Sequence, residues 1–378
     1  MSNSSFHKRF LIFTSDSGFG HRSAANAVVK ALRELHPEET MISLINPLID
    51  LPSPMFIRGI ENNYDKLVRN HYKLYKFSYR ISDSRRASLL IENSLTLALY
   101  RNIKRLIFAY KPDVILTTNL MFNAPTGAVI KRFDLDIPFF TVVTDLAEVH
   151  ALWFNPSPRR FFVGSDSVRN QAIRYGIPPK KVLVTGIPVD PCLGKYTAEK
   201  SRIRQKLSLD PHLTTLLVVG SKRVKGLSNT LKALEKLTYP IQVVVVAGGD
   251  DALVEELSHY PWHFPIRIFN FVKNMPELLA CSDLLVCKAG GLIVSEGLAA
   301  GLPIILVDSL PGQESGNVRF ITENQAGVQV RNENEFLAVV QSWLSEDRST
   351  LNTVTDNIRK ISRPYSSLEI ADVLWQAA

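Results

Sequence analysis

Residues 287–317 read CKAGGLIVSEGLAAGLPIILVDSLPGQESGN. The apolar run Leu284-Leu285-Val286 leads through Cys287 into Lys288-Ala289-Gly290-Gly291. A small-residue helix is expected over 292–300, with Gly301 placed to cap its C-terminus. A second apolar run, 303–307, ends in the polar loop Pro311-Gly312-Gln313-Glu314-Ser315-Gly316-Asn317. Strand, glycine turn, helix and strand make one βαβ unit, with two polar loops at the carboxyl ends of its strands. Open α/β sheets bind their ligands there. Adjacent glycines let backbone amides approach an anion, and the helix N-terminus favours negative charge. Glu296, about one and a half turns into the helix, is in reach of a hydroxyl-bearing group attached to that anion. An ordinary βαβ crossover would carry the same glycine pair. The polar loop after the next strand turns the reading to a nucleotide-diphosphate site.

The other strand-loop-helix units extend the pattern in both directions. Upstream, a strand from Phe10 runs into Ser15-Asp16-Ser17-Gly18-Phe19-Gly20-His21-Arg22, and a helix follows with Ala24, Ala25, Ala27, Val28, Ala31 and Leu32 on its buried side. Ser23 stands where the third glycine of a dinucleotide fingerprint belongs, so the fingerprint is incomplete. His21 at the mouth of that loop is the candidate base: a helix N-terminus disfavours the imidazolium form. A cap or a structural hydrogen bond would suit a lone histidine equally. Further strands are expected at 114–117, 137–145, 161–163 and 182–184, making the first half a doubly wound parallel sheet. Asp134-Leu135-Asp136 precedes its strand, so a turn is its better reading.

Residues 191–211 are polar and basic and read as the crossing to a second α/β domain. There the strand 214–219 is followed by Gly220-Ser221-Lys222-Arg223-Val224-Lys225-Gly226, a second candidate phosphate cradle. Strands at 242–246 and 266–269 follow. The second leads to Phe271-Val272, where an aromatic base is expected to rest. Residues 366–378 carry Leu368, Val373, Leu374 and Trp375 on a helix that must pack on something.

With 378 residues the chain is long enough for two sizeable cores. At 46% hydrophobic and 21% charged it is neither disordered nor integral to a membrane. The apolar run near the start, 10–13, is too short for a signal peptide. Cys192, Cys281 and Cys287 show neither metal-ligand nor disulfide spacing, which suits a reducing compartment. A net charge of +8 suggests an anionic partner. Residues 55–86 concentrate that charge: Arg58, Lys66, Arg69, Lys73, Lys76 and Arg80 alternate with tyrosines and phenylalanines. Such a stretch suits the headgroups of an anionic membrane, or equally single-stranded nucleic acid, and composition alone fits a solvated helical face over a small core as well. No recognised nucleic-acid module accompanies it, so a membrane surface is expected and nucleic acid is not.

The residues 15–24, Thr144-Asp145-Leu146 with His150 and Trp153-Phe154, Gly186-Ile187-Pro188-Val189, and 288–290 through Pro311-Gly312-Gln313-Glu314-x-Gly316-Asn317 resemble the monogalactosyldiacylglycerol synthases. They are also similar to bacterial diacylglycerol glucosyltransferases and, more distantly, to the N-acetylglucosaminyltransferase that forms lipid II. The resemblance runs from about residue 10 to 330. It implies an α/β, GT-B fold: two Rossmann-like doubly wound domains facing across a cleft. The acceptor and membrane-facing domain would span 1–190, the nucleotide-sugar domain 191–362, and a helix over 363–378 would cross back to the first.

The implied activity is transfer of a hexose from a UDP-sugar to a lipid hydroxyl, with inversion and without a catalytic metal or other cofactor. The implied place is peripheral, on the cytoplasmic face of a membrane. By the same resemblance His21 matches the base and Asp145 lies in a family motif. Gly18, Phe19 and Gly20 lie on the acceptor side. Ala289, Gly290 and Gly291 match the diphosphate turn, Glu296 the ribose acid, and Gln313, Glu314 and Asn317 the donor loop. Departures at 220–226 and at Gly291-Leu292-Ile293 leave galactose, glucose and an N-acetylated sugar open. A 2-epimerase-like enzyme on a non-lipid substrate and a non-catalytic UDP-sugar or membrane-binding protein are the alternative classes.

Overall fold

The computed structural model describes residues 7–16, 19–49, 85–222, 224, 226–310 and 314–378. The expectations for Gly18, Arg223, Gln313 and residues 55–84 lie outside them. The chain forms two compact units. The first holds Met1–Asp190, Pro311–Gly316 and Tyr365–Ala378, and the second holds Pro191–Leu310 and Asn317–Pro364.

In the first unit the order is β1 (Lys8–Phe13), α1 (Phe19–Leu35), β2 (Thr40–Ile45), α2 (Arg85–Tyr110), β3 (Val114–Thr117), α3 (Asn123–Arg132), β4 (Phe139–Val142), β5 (Arg160–Val163), α4 (Asp166–Arg174) and β6 (Val182–Val184). The strands form a parallel sheet in the order β2-β1-β3-β4-β5-β6. The chain steps from β1 to β2, then returns to the other side of β1 for β3, so the topology switches between β1 and β3.

Strand β1 shows why its sequence reads as an unbroken apolar run. Phe10 and Ile12 pack with Val28 and Leu32 of α1, while Leu11 and Phe13 pack with Ile103 and Ile107 of α2. A parallel strand covered on both faces needs apolar side chains at every position. The six expected α1 residues are all buried. The C-terminal helix, Ser366–Ala377, packs on α1 in this unit, with Leu374 beside Phe10 and Ile12. Its Trp375 ring stacks on His36 at 3.6 Å, and Lys8 Nζ lies 4.1 Å above the same ring. Asp134 sits in the left-handed region at φ 50° in the turn after α3, which bears out the turn reading of Asp134-Leu135-Asp136.

The second unit runs α5 (Leu193–Thr197), α6 (Lys200–Lys206), β7 (Thr214–Val219), α7 (Leu227–Lys232), β8 (Ile241–Val246), α8 (Asp251–His259), β9 (Ile266–Phe269), α9 (Met275–Cys281), β10 (Leu284–Lys288), α10 (Gly291–Ala299) and β11 (Ile304–Asp308). Then come α11 (Ser315–Glu323), which opens in the last two residues of the preceding unit's loop, β12 (Gly327–Gln329), α12 (Glu333–Trp343) and α13 (Ser349–Ile361). The parallel order is β12-β11-β10-β7-β8-β9, and the switch falls between β7 and β10.

Residues 191–211 are more than a crossing, because α5 and α6 dock onto the foot of this sheet. Arg204 of α6 is buried and donates to Cys281 O at 2.8 Å and to Asp283 Oδ2 at 2.5 Å. Lys200 Nζ and the Thr215 amide reach the same carboxylate, each at 2.7 Å. Burial pushes the Asp283 carboxyl up, but the Lys200 charge and these donors together hold it below its ordinary value. Helix α10 begins at Gly291, one residue before the expected start. It closes as expected: Gly301, at φ 73°, donates to Leu298 O at 3.0 Å and Leu302 to Gly297 O at 2.9 Å. This pair of bonds is a Schellman cap.

Candidate active site

The switch point of the first unit is lined by polar residues that follow the strands directly. Thr14 and Ser15 after β1, and Thr118 and Asn119 after β3, are buried. The Thr118 hydroxyl bridges Thr14 Oγ1 and the His21 carbonyl, each at 3.0 Å, and Asn119 Nδ2 donates to Ser15 Oγ at 2.7 Å. His21 is the third residue of α1. Its Nδ1 lies 2.7 Å from Thr118 O and 3.1 Å from Thr144 Oγ1 at the end of β4, and the Trp153 ring is 6.2 Å away. A carbonyl oxygen can only accept, so Nδ1 carries the proton and the neutral ring keeps a lone pair on Nε2. The ring is partly exposed, but the protein packed around it pushes its pKa down to about 4. The Thr118 carbonyl pulls the other way without overcoming that effect. His21 is therefore uncharged at neutral pH.

The neighbouring loop ends are fixed as well. Arg22 grips both Asp16 oxygens, at 2.7 and 3.0 Å, and Asn46 Nδ2 adds a third bond at 2.8 Å. This bidentate pair spans the glycine loop, and it holds the Asp16 carboxyl below its ordinary value. Phe19 and Gly20 form the first turn of α1, and a Cβ on Gly20 would meet nothing within 4 Å. Asp145 follows Thr144 directly and is half-buried. Its loop is backed closely: a Cβ on Gly316 would lie 2.1 Å from Ala147 O. His150 is buried and caps the 3-10 turn Ala151–Phe154, accepting the Leu152 amide at Nδ1.

In the second unit, β7 and β10 are paired neighbours, with Val219 opposite Cys287. Gly220 and Lys288-Ala289-Gly290-Gly291 therefore emerge side by side at the switch point. Gly290 is the N-cap of α10 and, having no side chain, cannot itself cap the first amides of the helix. Ala289 donates to Asp308 O at 2.9 Å and accepts from Asn317 Nδ2 at 3.0 Å, so Asn317, fully buried, supports the turn itself. Lys288 and Glu296 are half-buried, Glu314 is buried and Lys222 is exposed. Gly248, at φ 65°, is required by a close approach: a Cβ there would lie 2.5 Å from Gly220 O. Phe271, 61% exposed, and Val272 follow the edge strand β9, two strands away from the switch. The Gly249 amide, bonded to Asn270 O at 3.0 Å, ties their loop to the one after β8.

Thr118 and Gly248 are positions the sequence did not single out, and Thr144 and Gly316 stood in family motifs with no role assigned to them. Each threonine stands where a buried apolar run ends, a local signal that by itself names no partner. Among the described residues no group of three or more His, Cys, Asp or Glu is placed to hold a metal ion. No described helix is long and apolar enough to cross a membrane.

Comparison with known proteins follows the same division of the chain. Residues 21–189 match the family model described as monogalactosyldiacylglycerol (MGDG) synthase, and residues 199–361 match that of glycosyl transferases group 1. A chloroplastic monogalactosyldiacylglycerol synthase from Spinacia oleracea is 30% identical over 373 residues, covering 96% of this chain and 71% of its own. The chain belongs to the monogalactosyldiacylglycerol synthase family. It is a glycosyltransferase of glycolipid synthesis, and the expected GT-B fold holds. MurG from Acinetobacter baumannii superposes with a TM-score of 0.61 at 15% identity, covering 98% of this chain and 99% of its own. A UDP-GlcNAc 2-epimerase from Neisseria meningitidis, solved with UDP-GlcNAc, gives 0.62 at 12%, covering 98% and 100%. At these identities the two structures speak for the fold alone. Within the MGDG synthase family match, His21 is the first residue aligned.

Proposed function

We propose that this glycosyltransferase moves a hexose from a UDP-sugar to the free hydroxyl of diacylglycerol in one inverting displacement, without a bound metal. Galactose is the first donor sugar to try, because the Spinacia oleracea relative is named for it. The observation that carries the reading is the 2.7 Å contact between His21 Nδ1 and Thr118 O: a carbonyl can only accept, so the proton belongs on Nδ1 and the lone pair on Nε2. In the proposed step Nε2 takes the hydroxyl proton of the acceptor as its oxygen attacks the anomeric carbon. The bond from that carbon to the diphosphate breaks, and UDP departs with the electron pair. Its developing charge falls to the open amides of α10 and to the lysines Lys222 and Lys288, which is why no metal is invoked.

Glu296 accepts from the ribose hydroxyls in this reading, and Gln313 and Glu314 attend the sugar. The basic-aromatic stretch 55–86 supplies a peripheral attachment to an anionic, cytoplasm-facing lipid surface. A 2-epimerase activity is the alternative that the shared fold leaves open, since the Neisseria meningitidis enzyme has the same fold. Proton NMR of the product made from UDP-galactose and diacylglycerol tests the proposal, run with and without EDTA. A β-linked galactolipid in equal yield in both is expected. An α linkage overturns inversion, loss of product with EDTA overturns metal independence, and a sugar epimerised without transfer supports that alternative.

A further inference from the structure

We infer that Thr144 is a positioning residue whose hydroxyl, together with the Thr118 carbonyl, fixes the tautomer and aim of His21. The inference rests on the proposed role of His21 as base. Two oxygens crowd one ring nitrogen: Thr118 O at 2.7 Å and Thr144 Oγ1 at 3.1 Å from Nδ1. The carbonyl settles that Nδ1 is the donor. A hydroxyl beside a protonated nitrogen must then present a lone pair and turn its own hydrogen elsewhere. The Nδ1–H is thus shared between two acceptors from the ends of two different loops, those that follow β3 and β4. One acceptor alone would leave the ring free to swing about that single bond, whereas two define its plane and hence the direction of the Nε2 lone pair.

Thr144 is itself fixed. It is buried, and the preceding Val143 amide is bonded to Phe162 O at 2.9 Å. The His21 end is fixed in the same way, by the Thr118 hydroxyl on the His21 carbonyl. When Nε2 gains a proton the imidazolium keeps both oxygens on Nδ1–H; the Thr118 carbonyl lowers the cost of the charge in a site that otherwise disfavours it, and a second acceptor on the same N–H acts in the same direction. Thr144 therefore acts through His21 on aim and on basicity, with no contact to substrate required.

The test compares Thr144→Val, which keeps the shape and removes the hydroxyl, with Thr144→Ser, which keeps the hydroxyl. Turnover is measured with UDP-galactose and diacylglycerol. The His21 ring nitrogens are followed by 15N NMR in 15N-histidine-labelled full-length protein, with His21→Gln to assign the signals. Thr144→Val is expected to lower kcat about 10-fold or more while the KM for UDP-galactose stays within about twofold, in the range one acid–base element controls. Its His21 spectrum should shift toward a mixture of tautomers and titrate at lower pH, and Thr144→Ser should restore both. A Thr144→Val protein with wild-type kcat and an unmixed Nδ1–H tautomer overturns the inference. So does a loss of kcat that Thr144→Ser shares, since that would be packing. If Thr144→Val does not fold, the Thr144→Ser and Thr144→Ala pair takes its place, with the same two readouts. Should His21→Gln retain full turnover, the base assignment fails separately, and the tautomer spectra still decide whether Thr144 holds the ring.

Discussion

At His21 the environment and the ordinary chemistry of the side chain pull apart, which makes pH the most informative variable at the residue scale. An ordinary imidazole protonates near 6.5, and a helix N-terminus was expected to disfavour the charged form of His21. Burial moves that point to about 4. The kcat/KM profile, which reports the free enzyme, is therefore expected to stay level from neutrality down to about pH 5 and to break near 4. A break near 6.5 in kcat/KM, absent from His21→Gln, would show that the protein around the ring does not disfavour its charge. Stability follows with a definite sign. Between about 4 and 6.5 the unfolded chain binds a proton that the folded chain refuses. The contribution of His21 is complete above 6.5 and is lost as pH falls toward 4. Urea unfolding across that window should show a decline that His21→Gln reduces. Glu296→Ala belongs at this scale too: losing a charge-assisted bond to ribose is worth about 1.5 to 3 kcal/mol, roughly a 10- to 100-fold weaker UDP titration. Unchanged affinity would remove Glu296 from the nucleotide site.

Among the elements, what was legible in the sequence was local. The α10 cap could be read because Gly297 through Leu302 form it within six residues, and the buried face of α1 because helical period writes it into one stretch. The two glycine turns were visible for the same reason. The partners of His21 were not: Thr118 and Thr144 lie 97 and 123 residues away, and only the strand order brings them to one nitrogen. Strand β2 was missed because it is an edge strand of mixed polarity, TMISLI, with Met41 56% exposed. Helix α2 was missed because Leu89, Leu90 and Leu97 stand on its outer side and blur the apolar stripe. Gly248 offers a test of how the elements support the second glycine site. Gly248→Ala meets both a left-handed backbone and the Gly220 carbonyl, so it should cost about 1 to 3 kcal/mol in chemical denaturation and weaken UDP binding as the Gly220 turn shifts. A variant as stable as the parent, with normal UDP affinity, would mean the two loops part easily.

For the whole molecule, two parallel sheets each place a glycine loop and a helix N-terminus at the point where strand order reverses. One carries a neutral histidine, the other an α10 whose N-cap is Gly290. That division of chemistry suits the proposed transfer from a charged donor to a neutral hydroxyl. The net charge of +8 and the basic stretch 55–86 add a prediction of their own: co-sedimentation with liposomes should rise with anionic lipid and fall with salt. Binding indifferent to both would move the attachment elsewhere. The most direct measurement is UDP release from UDP-galactose by wild type and His21→Ala, each with and without diacylglycerol, alongside UDP titration of both proteins. Release should depend on diacylglycerol and fall about 10²- to 10⁴-fold in the variant, with UDP affinity unchanged. Release that ignores diacylglycerol, or that survives the loss of His21, would contradict a lipid glycosyltransferase that uses this histidine as its base.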